Sequence, residues 1–392
     1  MVWRSLSGRS PAPFEDRRGR TTSRWVAVPM TPPAVALGSQ SGRRLEGVVH
    51  VVERRVEEAE DAVSLWLRPH EADTPRARPG QFYTVRVRHP DGVLKRAYSA
   101  SHKCDETGTL RLTIQRVPDG LASTYLTEHV FEGSELQLLG PSGSFGEEVC
   151  SGAARRVVMI AGGSGVTPMA AMCHTLLEAD TGSYEFVLIH GVRTPRHALF
   201  SRELEALARA HAGSLSVHHV YERDAPPGHA FEGRLVPEVL TKVLDSAIKS
   251  LSAPPERYLL CGPAGMLESA HTALRERGVP DDHIEQERFA SPQAAEEATE
   301  TEQTTVTFLS SGQSVSVEVA TSETILTSGL KAGVPMPFSC TLGGCGACKV
   351  RLEEGTVSME TPNCLTARER AAGDVLACVA RATGPCVIEV SR

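Results

Sequence analysis

The sequence contains no run of eighteen apolar residues, and therefore offers no candidate for a helix that crosses a membrane. It also lacks an excess of positive charge, because 41 lysines and arginines stand against 48 aspartates and glutamates, a net charge of −7. Nucleic acid, whose backbone is negative, is therefore not expected as a partner. What remains is ordinary for globular proteins, since 41 % of the residues are hydrophobic and 23 % are charged. A chain of 392 residues is long enough for two or three domains.

Residues 1–44 lack hydrophobic periodicity and the apolar stretch that a secretory signal requires. They are rich in arginine, serine, proline and glycine, and their only acidic residues are Glu15 and Asp16. This composition predicts a disordered basic leader. It would suit an organelle transit peptide, but we favour an inert tail, with translation starting later, for example at Met30.

Ten cysteines in 392 residues are too sparse for a small secreted disulfide protein, but four of them share a meaningful spacing. Cys340, Cys345, Cys348 and Cys378 have the C-x4-C-x2-C…C spacing of a plant-type [2Fe-2S] site. A zinc ribbon would have a second close pair, which is missing. The interleaved glycines leave room for backbone N–H groups to point at cluster sulfurs. The sequence therefore predicts a [2Fe-2S] cluster on these cysteines, and the reduced thiols needed for its assembly predict a reducing, cytoplasmic compartment.

The cysteine segment, with the residues that follow it up to Val379, resembles the plant-type ferredoxin domain over about residues 304–392. The resemblance implies an α+β domain of the β-grasp type. Residues 291–303, just before it, contain four glutamates, one proline and no large apolar residue. This composition predicts a solvated acidic linker.

Residues 45–150 contain short segments in which apolar and polar residues alternate, as in residues 83–88 and 110–115. Turn signals at residues 78–80 and 90–92 separate these segments. Short strands at such intervals predict an antiparallel β-barrel.

The barrel segment carries the motif Arg96-x-Tyr98-Ser99 and, further on, a turn from Gly120 to Ser123. An arginine on a strand can hold a phosphate through its planar fork, and an aromatic ring two residues later lies on the same face. These residues resemble the flavin domain of the ferredoxin-reductase family. The resemblance implies that Arg96 binds the flavin phosphate, that Tyr98 stacks on the isoalloxazine and that Ser99 lies near its N5. It also implies that the turn holds the pyrophosphate of FAD, with FMN as the alternative cofactor.

Residues 151–290 contain continuous apolar runs at 157–161, 186–189 and 258–260, separated by helical patterns. Strands that are apolar on both faces and alternate with helices predict a doubly wound parallel sheet. Glycine-containing turns follow the first and third runs, at the strand ends where nucleotides bind in such folds.

These turns resemble the nucleotide domain of the same reductase family. The resemblance implies contacts with NAD(P)H from Gly162, Gly163, Gly165, Thr167, Pro168, Cys261, Gly262 and Pro263. It places Cys261 beside the nicotinamide, and adds Glu287, from the family's closing Glu-x-Phe, to a catalytic group with Ser99. Glu222 and Arg223 fall where NADPH-selective members often carry Ser-Arg. The acidic residue favours NADH, whereas Arg223 argues for NADPH.

The order of the three parts resembles the reductase component of a bacterial multicomponent oxygenase over residues 46–392. The resemblance implies an oxidoreductase in which electrons pass from NAD(P)H through FAD to the cluster, and then to an external oxygenase component. The sequence has no Rieske Cys/His pairs, no Glu-x-x-His repeats and no haem-ligand motif, so it does not contain the oxygenase itself. Three alternatives remain: a reductase for a hybrid-cluster protein or a cytochrome, an oxidase or quinone reductase acting alone, and a redox sensor.

Overall fold

The computed structural model describes residues 47–71, 73–89, 92–179, 183–289, 303–310, 312–338, 343, 346, 348–359, 363, 365 and 367–390. The predicted leader at 1–44 lies outside the described residues, as does the predicted linker apart from Gln303, which is the first residue of a strand. The described helices include none that is long and apolar enough to cross a membrane.

The first sheet is antiparallel and closes into a barrel. Its strands are β1 (Val48–Ala59), β2 (Ala62–Pro69), β3 (Phe82–His89), β4 (Gly92–Ser99), β5 (Leu110–Gln115) and β6 (Glu135–Ser142), in the order β4-β3-β6-β1-β2-β5. A bridge between Ala100 and Leu112 joins the two outer strands. Alternate residues of β3, such as Val85 and Val87, are fully buried inside. A short helix α1 (Leu121–Glu128) lies between β5 and β6, and a second, α2 (Glu147–Cys150), follows β6. The predicted antiparallel barrel is confirmed.

The second sheet is parallel and covered by helices on both faces. Its strands are β7 (Arg156–Gly162), β8 (Glu185–Val192), β9 (Leu215–Tyr221), β10 (Arg257–Gly262) and β11 (Ile284–Arg288), in the order β11-β10-β7-β8-β9. The covering helices are α3 (Val166–Ala179), α4 (Ser201–Ala210), α5 (Pro237–Ala247) and α6 (Ala264–Glu276). On β7, Met159 faces one apolar core and Ile160 faces the other. The core on the Met159 side also includes Ala62 and Phe145, so the barrel packs against this face. The predicted doubly wound sheet is confirmed.

The third sheet is mixed. Its strands are β12 (Gln303–Ser310), β13 (Gln313–Ala320), β14 (Lys349–Glu354), β16 (Asp374–Leu376) and β18 (Cys386–Glu389), in the order β13-β12-β18-β14-β16. A small ladder pairs β15 (Val357–Met359) with β17 (Ala380–Ala382), and the helices are α7 (Ile325–Lys331) and α8 (Ala367–Ala371). Phe308 and Ile388 on the adjacent parallel strands β12 and β18 are fully buried in its core. This arrangement confirms the predicted α+β ferredoxin-type fold.

Candidate functional site

Three residues predicted to be catalytic meet where the barrel touches the edge of the parallel sheet. Ser99 ends β4, whereas Cys261 and Glu287 are paired neighbours on β10 and β11. The Ser99 hydroxyl donates a hydrogen bond to Glu287 Oε2 across 3.4 Å, and Cys261 Sγ lies 4.0 Å from the same oxygen. Two sheets from distant parts of the chain thus contribute to one polar cluster.

Burial controls the protonation of this cluster. It raises the pKa of Glu287 to about 8, against the opposing effect of the Ser99 hydrogen bond, and the neighbouring Glu285 carboxyl raises it further. Burial, aided by the Glu287 carboxyl, also raises the pKa of Cys261 well above its ordinary value. At neutral pH the site therefore holds a protonated carboxyl group and a thiol. Such a carboxyl group can hold a proton or donate it.

Glu285 makes a second contact between the barrel region and the sheet, and the sequence analysis did not single it out. Its carboxylate accepts a hydrogen bond of 3.0 Å from the backbone N–H of Gly146, which takes a left-handed φ of +71°. Burial raises the pKa of Glu285 to about 7. The signal in the sequence was its place two residues before Glu287, because alternate residues of a strand share a face.

The predicted flavin residues Arg96 and Tyr98 share one face of β4, opposite their partners Val85 and Tyr83 on β3. Both side chains are half-buried, and the Tyr98 ring lies against the barrel core. Burial raises the pKa of the Tyr98 hydroxyl, which therefore stays neutral. A fixed neutral ring beside a guanidinium suits a flat phosphorylated cofactor.

The Gly120–Ser123 turn opens helix α1. The Ser123 hydroxyl is occupied within the turn, since it accepts from the Val117 N–H and donates to the Gly120 carbonyl, both at 3.1 Å. No side chain caps the helix, and its first turn carries no acidic residue. The first N–H groups of the helix are therefore the donors that this turn offers to a pyrophosphate. Next to the turn lies a cavity of about 370 Å³. Its lining includes Arg116, Asp119, Thr124, Arg193 and His197. This volume is in the range of cofactor pockets.

The two predicted nucleotide turns touch each other. A Cβ atom on Gly165 would lie 2.1 Å from the Cys261 carbonyl oxygen, and one on Gly162 would lie 2.8 Å from Pro263 Cδ. The first turn passes into α3, where Thr167 and Pro168 are buried, and the second passes into α6, which has no side-chain cap after Gly262 and Pro263. Only glycine permits this close approach at position 165.

A buried histidine supports the first turn, and the sequence analysis missed it. His190 on β8 is wholly buried, and its Nε2–H donates a hydrogen bond of 2.9 Å to the carbonyl of Gly163, which has a left-handed φ of +53°. A carbonyl only accepts, so this nitrogen carries the proton. Burial lowers the pKa of His190 to about 3, and the ring is therefore neutral. No local motif indicated this contact.

Glu222 and Arg223 are exposed just after β9. The Glu222 carboxylate lies 3.4 Å from Arg234 Nε. The backbone N–H of Arg223 donates to the carbonyl of Arg193, which follows β8. The Arg234 guanidinium therefore lies near the acidic side chain that was predicted to bind the ribose, whereas the Arg193 guanidinium pairs with Asp61.

Two of the four predicted cluster ligands lie in the described part of the chain. Cys348 Sγ and Cys378 Sγ are 3.1 Å apart and both residues are buried. This separation is too long for a disulfide bond. The backbone N–H of Gly343 donates to Cys378 Sγ across 3.3 Å, the type of contact that the glycines predicted. Cys340 and Cys345 lie outside the described residues. Two converging thiols with an N–H donor fit an iron-sulfur ligand set.

Three family models match the chain. They are described as the oxidoreductase FAD-binding domain, over residues 51–146, the oxidoreductase NAD-binding domain, over residues 159–272, and the 2Fe-2S iron-sulfur cluster binding domain, over residues 308–383. Each match falls on one of the three sheets.

Two curated relatives cover most of the chain. One subunit of the 1,2-phenylacetyl-CoA epoxidase from Escherichia coli is 32 % identical over 315 residues, which are 78 % of this chain and 86 % of the relative. The ferredoxin reductase component of 3-ketosteroid-9-alpha-monooxygenase from Mycolicibacterium smegmatis is 33 % identical over 350 residues, 84 % of this chain and 94 % of the relative. Among solved structures, phthalate dioxygenase reductase matches with a TM-score of 0.55 and 24 % identity, covering 88 % of this chain and 98 % of its own. The last likeness concerns the fold alone.

Proposed function

We propose that this chain delivers electrons to a separate oxygenase component. The chain belongs to the family of NAD(P)H-dependent flavin and iron-sulfur reductases of oxygenase systems. The chain is an oxidoreductase that passes electrons from NAD(P)H through FAD to a [2Fe-2S] cluster. The names of both relatives, a subunit of an epoxidase and a reductase component of a monooxygenase, support the oxygenase as final acceptor.

One observation carries the assignment of the reaction centre: Ser99 from the barrel meets Glu287 and Cys261 from the nucleotide sheet. FAD and the cluster supply the redox chemistry when bound. The Ser99 hydroxyl donates to Glu287, so its oxygen remains able to accept a hydrogen bond from a ring N–H. Glu287 accepts this hydrogen bond on Oε2, which leaves its other carboxyl oxygen to hold the proton. Cys261, on the nucleotide sheet, places its Sγ 4.0 Å from the same Glu287 oxygen.

We assign the remaining contacts from the chemistry of the donors. Arg96 would hold the flavin phosphate, Tyr98 would stack on the flavin ring, and the first N–H groups of α1, beside Gly120 and Ser123, would hold the pyrophosphate. The turns at 162–168 and 261–263 would hold the nicotinamide nucleotide. Cys340, Cys345, Cys348 and Cys378 would hold the iron.

NADH is the proposed nucleotide, because the Glu222 carboxylate can accept from a ribose 2′-OH and repels a 2′-phosphate. Arg223, the next residue, and Arg234, which pairs with Glu222, favour the opposite selectivity. Comparing kcat/KM for NADH and NADPH decides between them, and Glu222→Ser should shift the ratio towards NADPH.

We further propose three domains, at residues 45–150, 151–290 and 304–392. The acidic segment 291–303 links the second domain to the third. A reducing compartment such as the cytoplasm suits four thiolate ligands.

Reconstitution tests the proposed acceptor. The chain, NAD(P)H and an oxygenase component purified from the same cells should together yield oxidised substrate, and Cys378→Ser should abolish product formation while NAD(P)H still reduces the flavin. If the oxygenase works equally well with the cluster-free variant, the proposed route fails. Faster reduction of a cytochrome than of any oxygenase component would favour the alternative acceptor.

A further inference from the structure

Arg111 on β5 joins the barrel to the nucleotide domain through Glu203. Its side chain is only 3 % exposed, and its two terminal nitrogens donate to the two carboxylate oxygens of Glu203 on α4, at 2.7 and 2.9 Å. A fork that meets both oxygens fixes direction as well as distance. The pair therefore defines how α4 sits on the barrel.

The same guanidinium also holds the backbone next to the reaction centre. Arg111 Nε donates to Ser101 Oγ at 3.0 Å, and its Nη2 donates to the Ser101 carbonyl at 2.6 Å. The Ser101 N–H returns a hydrogen bond to the Arg111 carbonyl. Ser101 lies two residues after Ser99. Arg111 thus connects the strand end that presents Ser99 directly to the nucleotide domain.

Glu203 is a fixed anchor for this link. Burial opposes its ionisation, but hydrogen bonds from His174 and Arg111 hold the pKa of Glu203 down to about 2. The Arg111 guanidinium also lies over the Phe200 ring, 4.3 Å from its centroid. The carboxylate is therefore charged and paired at neutral pH.

Neighbouring groups strengthen the same contact. The Lys103 ammonium lies 2.7 Å from Glu178 on α3, and the His102 ring lies 4.5 Å from the His174 ring. His102, His174 and Glu203 bring metal-ligating atoms within 4.8 Å of one another. His174 and Arg111 both contact the Glu203 carboxylate, and the cluster lies where the two domains meet.

We propose that Arg111 is a positioning residue for hydride transfer: by holding Ser101 and Glu203 at once, it sets the position of Ser99 relative to Glu287 and Cys261. The inference rests on the proposed role of Ser99 at the flavin. A displacement of about 1 Å at a reacting centre lowers a rate by roughly 10²-fold. Loss of the fork should therefore slow the hydride step without removing either cofactor site.

The test compares Arg111→Met, Arg111→Lys, Glu203→Gln and the double variant Arg111→Met/Glu203→Gln in the FAD-loaded full-length protein. Arg68→Met is the matched control, because Arg68 pairs with Glu53 on the exposed surface of the same barrel. Stopped-flow flavin reduction gives the maximal rate and the nucleotide Kd separately. Amide hydrogen exchange of residues 98–102 reports on the strand end independently of turnover.

For Arg111→Met we expect the maximal rate to fall about 10- to 100-fold, with the nucleotide Kd within about threefold and the FAD content unchanged. Exchange at residues 98–102 should accelerate. The maximal rate of Arg111→Lys, which keeps the charge but loses the forked guanidinium, should lie between those of Arg111→Met and the parent. The double variant should be no slower than the slower single variant, because both remove one interaction.

An unchanged maximal rate in both Arg111→Met and Glu203→Gln would overturn the inference. So would equal losses in Arg111→Met and Arg68→Met, or a loss explained entirely by reduced FAD content. A parent protein that NAD(P)H does not reduce would instead contradict the proposed function, which keeps the two failures distinct.

Discussion

The Ser99 hydroxyl donates a hydrogen bond of 3.4 Å to the Glu287 carboxyl, and this contact joins residues 188 positions apart in the chain. It brings the end of a barrel strand to the edge of a parallel sheet. The barrel supplies Ser99, and the parallel sheet supplies Glu287 and Cys261. The proposed reaction centre therefore depends on the position of one sheet relative to the other.

Glu287 should impose a pH dependence on flavin reduction. Burial raises its pKa to about 8, so the group is protonated at neutral pH and ionises as the pH rises through about 8. The maximal rate of flavin reduction should fall over that interval in the parent protein, whereas Glu287→Gln should show a flat profile. Stopped-flow measurements from about pH 6 to about pH 9.5, on either side of this pKa, check this. A fall near pH 8 that persists in Glu287→Gln would assign the ionisation to another group.

Glu285 should make the fold less stable at alkaline pH. Its folded-state pKa is raised to about 7, so the folded protein binds a proton that the unfolded chain releases above its ordinary value of 4.5. The stabilisation of the fold that comes from protonated Glu285 is complete below pH 4.5 and is lost as the pH rises through about 7. Glu285→Gln keeps an acceptor for the Gly146 N–H. The stability of this variant relative to the parent should therefore be higher at about pH 8.5 than at about pH 5.5. Thermal unfolding at both pH values measures the difference, and an equal Tm difference at both would contradict the prediction.

Two cysteines of the third domain, Cys378 and Cys386, should differ sharply in their effect on cluster binding. Cys378→Ser should remove the cluster absorbance and electron delivery, while NAD(P)H still reduces the flavin at about the parent rate. Cys386→Ser is the matched control, because Cys386 is buried in the same core but lies on β18 and is not a predicted ligand. Its iron content should equal that of the parent. Iron analysis and visible spectra separate the outcomes, and a cluster retained in Cys378→Ser would refute the ligand assignment.

His190 should matter for nucleotide affinity. His190→Leu removes the donor to the Gly163 carbonyl and leaves that carbonyl without this hydrogen bond. A typical net hydrogen bond is worth about 0.5–1.5 kcal/mol, so we expect the Kd for NAD(P)H to rise roughly 3- to 10-fold. His218→Leu, on the neighbouring strand β9, is the control and should bind nucleotide like the parent. A Kd that is unchanged in His190→Leu would mean that the turn holds its shape without this support.

The sequence predicts those parts of the site that short spacings encode. The close cysteines 340, 345 and 348, the Arg96-x-Tyr98-Ser99 motif and the glycine turns each use neighbouring residues to create local geometry. The fold class follows from periodicity for the same reason, since alternation and apolar runs report which faces of a strand are buried.

Contacts between distant elements were not predictable in this way. Arg111 and Glu203 are 92 residues apart, and each by itself is an ordinary polar residue on a strand or a helix. Their pairing depends on how the barrel packs against α4, which no local pattern specifies. His190 lies within an apolar strand, where a histidine more often has no ligand-related role. Residues 340 and 345, central to the sequence prediction, lie outside the described part of the chain.

The most direct test of electron transfer from the nucleotide through the flavin to the cluster is anaerobic addition of NADH, and separately NADPH, to the purified protein. Flavin and iron-sulfur absorbance are followed on the millisecond scale. We predict that the flavin bleaches first and that the cluster bands follow at a rate sufficient for turnover. A cluster that stays oxidised after the flavin is reduced, or a protein that contains no cluster, would contradict it.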